Sequence, residues 1–410
     1  MEKYIHKVSG TIPNTYKTID IDLNGRNLII TGGNGSGKTC LLDELYKKTD
    51  LLIAQKQQAD LSTIENEYNH QQRYLSTLQK GTSNYDGCTN HLEYLKQKLD
   101  NITQGLKIEI PNNIAFSSKL DDRTAVIAFF KAHRKTEIIS ADTAKGIDSE
   151  KEKIKNQNNH LSLGNNLEQH LVNLRNRRSL AITEDQNHKL ADKISNWFNL
   201  FEDDLKLLLE DETATLNFES NTLKFKISQE NKPKYTFQSL SSGYQAIFQI
   251  YADLLMRTEY FDVTPKELVG TVLIDEIDAH LHVSLQRLIL PFLTKSFPNV
   301  QFIVTTHSPF VLMSAEDTVI YDLSKNEQID DDISLFSHTS IIEGLLDTKP
   351  SSQKLDKYIS ELAEIINSED INYTRLEILL NKLRGGFNTL DNKSKSFFML
   401  GENALLDKEL

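Results

Sequence analysis

Apolar residues occur along the chain in short strand-length runs and in longer runs with helical spacing. Strand-length runs lie at 26–31, 125–130, 271–275, 301–306 and 318–322. Helical spacing lies at 38–45, 240–257 and 281–296. The segment 277–300 supplies the crossover helix that two parallel strands require. This alternation predicts an α/β fold with parallel strands.

The segment from Leu51 to Leu106 has a different pattern. Apolar residues recur there at intervals of three and four, on both sides of a polar stretch at 81–87. Two arms of roughly 25 residues, about 38 Å long at the helical rise, predict an antiparallel coiled-coil hairpin inserted into the fold. The alternative is a pair of ordinary amphipathic helices packed on the main body.

The middle and the end of the chain are mostly helical. Residues 139–165 are polar and irregular, which predicts a linker. Helical spacing returns at 166–210, and a predicted strand pair follows at 214–218 and 223–227. From about residue 326 the chain reads as a helical tail, which opens with the acidic run 330–332 and includes an apolar segment at 397–400. This tail either packs on its own head or holds a partner protein.

A glycine-rich stretch between the first predicted strand and its helix matches the pattern G-x-x-x-x-G-K-[S/T]. It consists of Gly32, Gly33, Asn34, Gly35, Ser36, Gly37, Lys38 and Thr39. Glycines let backbone amides surround a phosphate, and the helix N-terminus favours the anion. Lys38 places a positive charge between the β- and γ-phosphates, and the Thr39 hydroxyl completes a Mg²⁺ shell. The pattern therefore predicts binding of ATP with Mg²⁺.

Two later strands end in candidate catalytic side chains. The run 270–274 is followed by Asp275 and Glu276, and the run 301–306 by His307. Asp275 is positioned to hold Mg²⁺ and Glu276 to polarise the attacking water. His307, 31 residues after Glu276, matches a sensor of the γ-phosphate on the neighbouring strand.

The segment Ser239 to Gln245, with the sequence SLSSGYQ, completes an ordered set of four motifs. The set resembles the ABC-type ATPase heads of the SMC-like, OLD-like and RecF-like class. Ser241, Ser242 and Gly243 resemble their signature motif, 278–282 resembles the D-loop, and His307 the switch histidine. Within the class, the sequences of these motifs are most similar to those of the ATPase subunit of the Septu anti-phage defence system (PtuA-like) and of relatives associated with retrons.

The resemblance implies a division of the chain and a set of partners. Residues 1–50 and 236–325 form the two parts of an ATPase head, 51–110 an inserted hairpin, 111–235 the remaining N-lobe with a linker and middle region, and 326–410 a helical tail. In such heads two subunits sandwich two ATP molecules, so one glycine loop and one signature per chain imply at least a homodimer. The resemblance also implies an ATPase that senses nucleotide and controls a partner nuclease, of HNH type.

Two other functions remain open. A stand-alone RecF- or SMC-like ATPase of DNA repair or recombination has the same motifs, as has the motor of an ABC transporter. A transporter motor has no use for a heptad hairpin, so it is disfavoured. No nuclease constellation is recognised in the sequence after His307, so we expect a partner to cut any DNA.

Composition limits the partners further. With 46 Lys and Arg against 58 Asp and Glu, the net charge of −12 argues against coating nucleic acid or membrane by bulk charge. The basic stretch with Arg175, Arg177 and Arg178 is interpreted as a solvated helix face rather than a nucleic-acid contact, so a role with DNA rests on the resemblance. The two cysteines and the lack of a run of about 18 apolar residues predict a cytoplasmic protein without a membrane contact.

Two details of the resemblance are incomplete. Cys40 follows Thr39 where many such heads have Ser or Thr, and it is interpreted as a small packing residue rather than a contact to the α-phosphate. A glutamine loop has no clear place, and Gln55, Gln57 and Gln58 are its candidates.

Overall fold

A computed structural model gives the bounds of the helices and strands. It describes residues 4–56, 61–103, 105–133, 138–155, 162–314, 316–329, 341, 344, 352–368 and 371–409. The strands of this part of the chain are β1 (Lys7–Thr11), β2 (Thr18–Asp22), β3 (Asn27–Thr31), β4 (Leu106–Glu109), β5 (Ala125–Phe130), β6 (Thr215–Glu219), β7 (Lys224–Ser228), β8 (Val269–Ile274), β9 (Val300–Thr305), β10 (Thr318–Asp322) and β11 (Glu327–Ile329).

Most of the helices overlap the predicted helical segments, with shifted ends. Those of the first 338 residues are α1 (Lys38–Thr49), α2 (Leu61–Leu75), α3 (Ser83–Thr103), α4 (Asn113–Asp121), α5 (Ile147–Lys155), α6 (Leu167–Thr183), α7 (His188–Leu209), α8 (Ser242–Tyr260), α9 (Val283–Ser296) and α10 (Pro309–Met313). Those of residues 339–410, which form a separate unit, are α11 (Gln353–Ile366), α12 (Tyr373–Arg384) and α13 (Asn392–Glu409).

The sheet that carries the motifs has six strands in the order β11-β10-β3-β9-β8-β5. Strands β10, β3, β9, β8 and β5 run parallel, and β11 pairs antiparallel with β10. Every residue of β3 and β9 is buried, as expected for parallel strands covered on both faces. The predicted α/β fold is confirmed. Because the strands are parallel, the residues that follow β3, β9 and β8 share one edge of the sheet.

Helix α1 is held between this sheet and a smaller one. Strands β2, β1 and β4 form an antiparallel three-stranded sheet. Leu41, Leu42 and Leu45 of α1 are fully buried in a cluster with side chains of both sheets, among them Val8 and Ile303. This packing fixes the start of α1, and hence the glycine loop, against the end of β3.

Helices α2 and α3 lie side by side in the predicted hairpin segment and run antiparallel. Cys88 Sγ lies 3.5 Å from Gln71 Oε1, and His91 Nε2 lies 3.0 Å from Glu67 Oε1. The predicted turn at 81–87 is wrong over most of its length, because α3 already begins at Ser83. Leu106 is also no part of the arm, since it starts β4. The coiled-coil character of the pair stays a prediction.

Two boundaries of the middle and tail regions differ from expectation. The segment 139–165 is not only a linker, because α5 occupies Ile147–Lys155 and buries Ile154. The tail does not start at 326, because β11 extends the sheet through Ile329. The predicted strand pair is confirmed as β6 and β7, each shifted by one residue. The acidic run 330–332 lies outside the described residues.

The unit of residues 339–410 has its own apolar core. Leu362 of α11, Leu380 of α12 and Phe398 of α13 are buried in one cluster. Gly401 of α13 lies close to α12, and a Cβ there would be 3.0 Å from Leu380 Cδ2. Part of the segment 397–400 is therefore core, whereas Met399 and Leu400 stay about half exposed. Among the described helices, none is both long and apolar enough to cross a membrane.

Candidate nucleotide-binding site

The glycine loop connects β3 to α1 and turns on residues with positive φ. Gly32, Gly35 and Gly37 have φ of 132°, 75° and 104°, values that residues other than glycine rarely adopt. At Gly32 space is also limiting, because a Cβ would lie 2.8 Å from Ser324 Oγ. The sequence therefore folds here into a loop whose backbone is free to face a phosphate.

Lys38 lies folded back over this loop. Its Nζ donates to the carbonyl oxygens of Gly32 at 2.9 Å and Gly33 at 3.1 Å. Burial lowers the pKa of the Lys38 ammonium, while the carboxylates of Asp275 and Glu276 act in the opposite direction. The charge predicted to meet the phosphates is thus held at the loop by neutral acceptors and by carboxylates from β8.

A chain of hydrogen bonds joins the ends of α1, β8 and β9. Thr39 Oγ1 donates to Asp275 Oδ2 at 2.9 Å, and Thr305 Oγ1 donates to Asp275 Oδ1 at 2.6 Å. The same Thr305 hydroxyl accepts from the backbone amide of Glu276 at 2.7 Å. One threonine therefore orients both predicted acidic residues.

The residues at this edge fit a magnesium ion that arrives with a nucleotide. The Thr39 hydroxyl and the Asp275 carboxylate are the hard oxygen ligands that Mg²⁺ prefers. Within the described ranges, no group of three or more His, Cys, Asp or Glu is arranged to hold a metal ion. Mg²⁺ at this place would take its remaining ligands from phosphates and water, as it usually does beside a glycine loop.

Glu276 itself lies exposed at the start of a turn and has left-handed φ of 46°. A non-glycine residue in that region costs free energy, and such residues cluster at functional sites. The turn continues to Asp278, whose Oδ1 accepts from Thr306 Oγ1 at 2.5 Å. The backbone thus directs Glu276 away from the core, at the edge where Lys38 and Thr39 lie.

His307 follows β9 at the same edge and is partly buried. Burial is the main cause that lowers the pKa of its imidazole, and the Lys38 ammonium lowers it further. Asp278, Glu276 and Asp275 oppose that shift without reversing it. The predicted sensor histidine is therefore placed within the field of Lys38 and of the three acidic residues.

The signature segment leads into α8 and contacts the turn after β8. Ser241 and Ser242 are exposed, whereas Gly243 is buried. A Cβ at Gly243 would lie 2.8 Å from the carbonyl oxygen of His280, which is a backbone atom. Glycine is thus required here by close approach, and the signature is packed on the predicted D-loop of its own chain.

Three residues of the site were not identified from the sequence. Ser324, in the turn between β10 and β11, accepts from the backbone amide of Gly33 at 2.7 Å. Asp322 fixes that turn, since its Oδ1 accepts from the Ser324 amide at 2.8 Å. Thr305 belongs to the run 301–306 before His307, so the sequence places it at a strand end but does not show that its hydroxyl bonds to Asp275 and Glu276. Ser324 belongs to no recognised motif, so no signal in the sequence pointed to it.

Two secondary expectations have different outcomes. Cys40 is exposed, so its interpretation as a packing residue is wrong. Gln55, a candidate for the glutamine loop, donates to Asp50 Oδ2 at 3.1 Å just after a π-helical turn at Asp50–Ala54. Gln57 and Gln58 lie outside the described residues.

A protein-family model matches half of the chain. Residues 108–314 match the family described as "AAA domain, putative AbiEii toxin, Type IV TA system". The chain belongs to this AAA-domain family. The matched range contains the signature, β8 and β9, and it begins after the glycine loop, whose assignment rests on its motif and geometry.

Curated relatives confirm the resemblance read from the motifs. The chain is 34% identical over 150 residues to "Retron Ec83 probable ATPase" of Escherichia coli, which covers 35% of this chain and 28% of that protein. It is 41% identical over 95 residues to "Septu protein PtuA" of Bacillus mycoides (strain KBAB4), and this match covers 22% of this chain and 13% of that protein. A second Septu protein PtuA, from Bacillus thuringiensis, is 30% identical over 128 residues, and this match covers 30% of this chain and 32% of that protein. The matches span about a third or less of each relative.

Solved structures of SMC heads also align with the chain. The SMC head domain from Thermotoga maritima has a TM-score of 0.35 at 12% identity and covers 79% of this chain and 97% of that one. An SmcHead bound to the C-winged helix domain of ScpA has a TM-score of 0.37 at 14% identity, with 79% and 96% covered. Both scores are low, and the fold assignment rests on the strand order and connections described above.

Proposed function

We propose that the chain is the ATP-binding, ABC-type ATPase subunit of a bacterial anti-phage defence complex. The observation that carries this proposal is the joint presence, at one sheet edge, of the glycine loop, Asp275 with Glu276, and His307. The similarity to Septu PtuA and to retron ATPases supplies the biological context. In this role the subunit senses nucleotide and controls a nuclease that another gene encodes.

Each residue of the edge has a task in this proposal. The loop amides and Lys38 bind the phosphates of ATP, and Thr39 with Asp275 holds Mg²⁺. Glu276 accepts a proton from the attacking water, and His307 contacts the γ-phosphate. Mg²⁺ and ATP together supply the electrophilic phosphorus, whose hydrolysis a pre-positioned base accelerates.

The active form is a homodimer with two composite sites. Ser241 and Ser242 are exposed and lie next to the D-loop, so their hydroxyls are free to meet the γ-phosphate bound by a second copy. Two-fold symmetry then places each signature opposite the glycine loop of the partner. A dimer of this kind is itself nucleotide-dependent, because ATP contributes to the interface.

A complementation experiment tests the dimer. Lys38→Ala removes the phosphate charge and Ser242→Arg blocks the signature, so each variant alone should hydrolyse little ATP. In an equal mixture, half of the dimers pair one variant with the other, and each of these has one complete site. Activity should return to about a quarter of the parental rate. No recovery, with both variants folded and able to exchange subunits, would show that the sites are not shared.

The nuclease partner requires a separate test. The chain should co-purify with the product of a neighbouring nuclease gene, and a Lys38→Ala chain should retain or lose that association according to whether ATP controls docking. A neighbourhood of replication or repair genes, with DNA-junction binding and no nuclease partner, would instead favour the alternative of a RecF- or SMC-like repair ATPase.

A further inference from the structure

A cavity in the middle region lies outside the nucleotide site. It has a volume of about 240 Å³ and is formed by α6, α7 and the β6–β7 hairpin. Its lining residues are Arg175, Arg178, Ser195, Phe198, Asn199, Glu202, Leu216, Phe218 and Phe225. Pockets for drug-sized ligands start at roughly 300 Å³, so this one suits a ligand of about the size of one nucleotide.

The two arginines of the cavity are available for an anion. Among the residues that the structure describes, no carboxylate lies within ion-pair distance of the Arg175 or Arg178 guanidinium. Arg178 Nε donates to the neutral Ser195 hydroxyl at 2.7 Å. Arg177, between them in sequence, is different: it forms an ion pair with Asp185 and does not line the cavity. The interpretation of all three as one solvated helix face did not distinguish Arg175 and Arg178, which line the cavity, from Arg177.

The walls of the cavity are aromatic. Phe218 and Phe198 are partly buried and each packs on the buried Phe225, with ring centroids 4.9 and 5.9 Å apart. The Arg175 guanidinium lies 5.9 Å from the Phe218 ring centroid. Aromatic rings and guanidinium planes are the surfaces on which proteins stack nucleic-acid bases.

One carboxylate in the cavity narrows the choice of ligand. Glu202 Oε1 accepts from the Leu216 amide at 2.7 Å, which fixes the side chain. A carboxylate opposes a bare anion, but it accepts hydrogen bonds from the exocyclic amino group of a base such as cytosine. A ligand with a phosphate at one end and an amino-bearing base at the other satisfies both arginines and Glu202.

We propose that this cavity binds one nucleotide, with the phosphate on Arg175 and Arg178, the base on Phe218 and Phe198, and its amino group on Glu202. The ligand is either a free mononucleotide or one residue of a single strand. This site is separate from the ATP site, and the test separates their failures, because a Lys38→Ala chain should keep it.

The experiment measures fluorescence anisotropy of a labelled single strand of about twelve deoxycytidines with the full chain at physiological salt. Arg175→Gln and Arg178→Gln should each weaken binding by about tenfold or more. Arg177→Gln, with the same charge change on the same helix, should change it by less than about twofold. Phe218→Leu should weaken binding as well, and melting curves confirm that each variant is folded.

The second arm tests the base. The chain should bind the deoxycytidine strand several-fold more tightly than a thymidine strand, and Glu202→Gln, which keeps the acceptor for Leu216, should abolish that preference. If dCMP displaces the strand as well as an unlabelled strand does, the ligand is a free nucleotide; if it fails, the ligand is a strand. Equal losses in Arg177→Gln and Arg175→Gln overturn the proposal, as does no binding of either probe. Displacement by inorganic phosphate as effective as by dCMP also overturns it.

Discussion

The Thr305 hydroxyl donates to Asp275 Oδ1 at 2.6 Å while it accepts from the Glu276 amide. Both residues lie in the interior, since Thr305 is fully buried and Asp275 is 4% exposed. The orientation of the predicted Mg²⁺ ligand and of the predicted base thus depends on one side chain of the neighbouring strand.

Thr305→Val should lower both stability and catalysis. Valine keeps the shape but removes the hydroxyl that bonds to Asp275 Oδ1 and to the Glu276 amide, and loss of such buried hydrogen bonds costs about 1–3 kcal/mol. Denaturant unfolding and Mg²⁺-dependent ATP turnover measure the two effects. Thr258→Val is the control, because Thr258 is equally buried and its hydroxyl donates to the Leu255 carbonyl of the same helix. Equal loss of turnover in both variants would contradict the positioning role.

Glu276→Gln should bind ATP and form a stable dimer without turnover. The amide keeps the shape of the side chain but is no longer a base, so a loss of roughly 100-fold or more in turnover is expected. Light scattering with ATP detects the dimer. Glu316→Gln, an exposed change of the same kind, should behave as the parent. Parental turnover in Glu276→Gln would assign the base to another residue.

Gly243→Ala should displace the D-loop. The new methyl group would meet the carbonyl of His280, so a cost of about 1–3 kcal/mol and a loss of ATP-dependent dimerisation are expected. Gly87→Ala is the matched control: nothing lies within 4 Å of a Cβ there, and within α3 alanine is favoured over glycine by about 1 kcal/mol. A Gly243→Ala chain as stable as the parent would show that the two loops separate freely.

Acid should destabilise the head through His307. Its folded pKa lies below the ordinary value near 6.5, so the unfolded chain binds more protons between the two values. This contribution penalises the fold as pH falls through about 6.5 and vanishes above it. Melting temperatures between about pH 5.5 and pH 7.5 should therefore depend less steeply on pH in His307→Gln. An unchanged slope in His307→Gln would refute the assignment.

The motif residues of the site could be predicted because each lies in a contiguous run whose pattern sets its element. Thr305 could not, because its role depends on the parallel register that pairs Ile274 with Val304. Ser324 could not, because it reaches Gly33 across 291 residues of sequence. Local chemistry explains the misplaced turn: Thr82 Oγ1 accepts from the Tyr85 amide at 3.3 Å and so starts α3 early.

The position of β3 has a consequence for synthesis on the ribosome. The two strands that flank it are β9 and β10, and the bond from the Phe302 amide to Asn27 Oδ1 joins residues 275 apart. At roughly 5–20 residues per second, the nascent β3 waits on the order of tens of seconds for its neighbours. The first motif to leave the ribosome is therefore among the last to be completed, and a chain released before β9 emerges lacks Thr305 and His307 of the proposed ATP site.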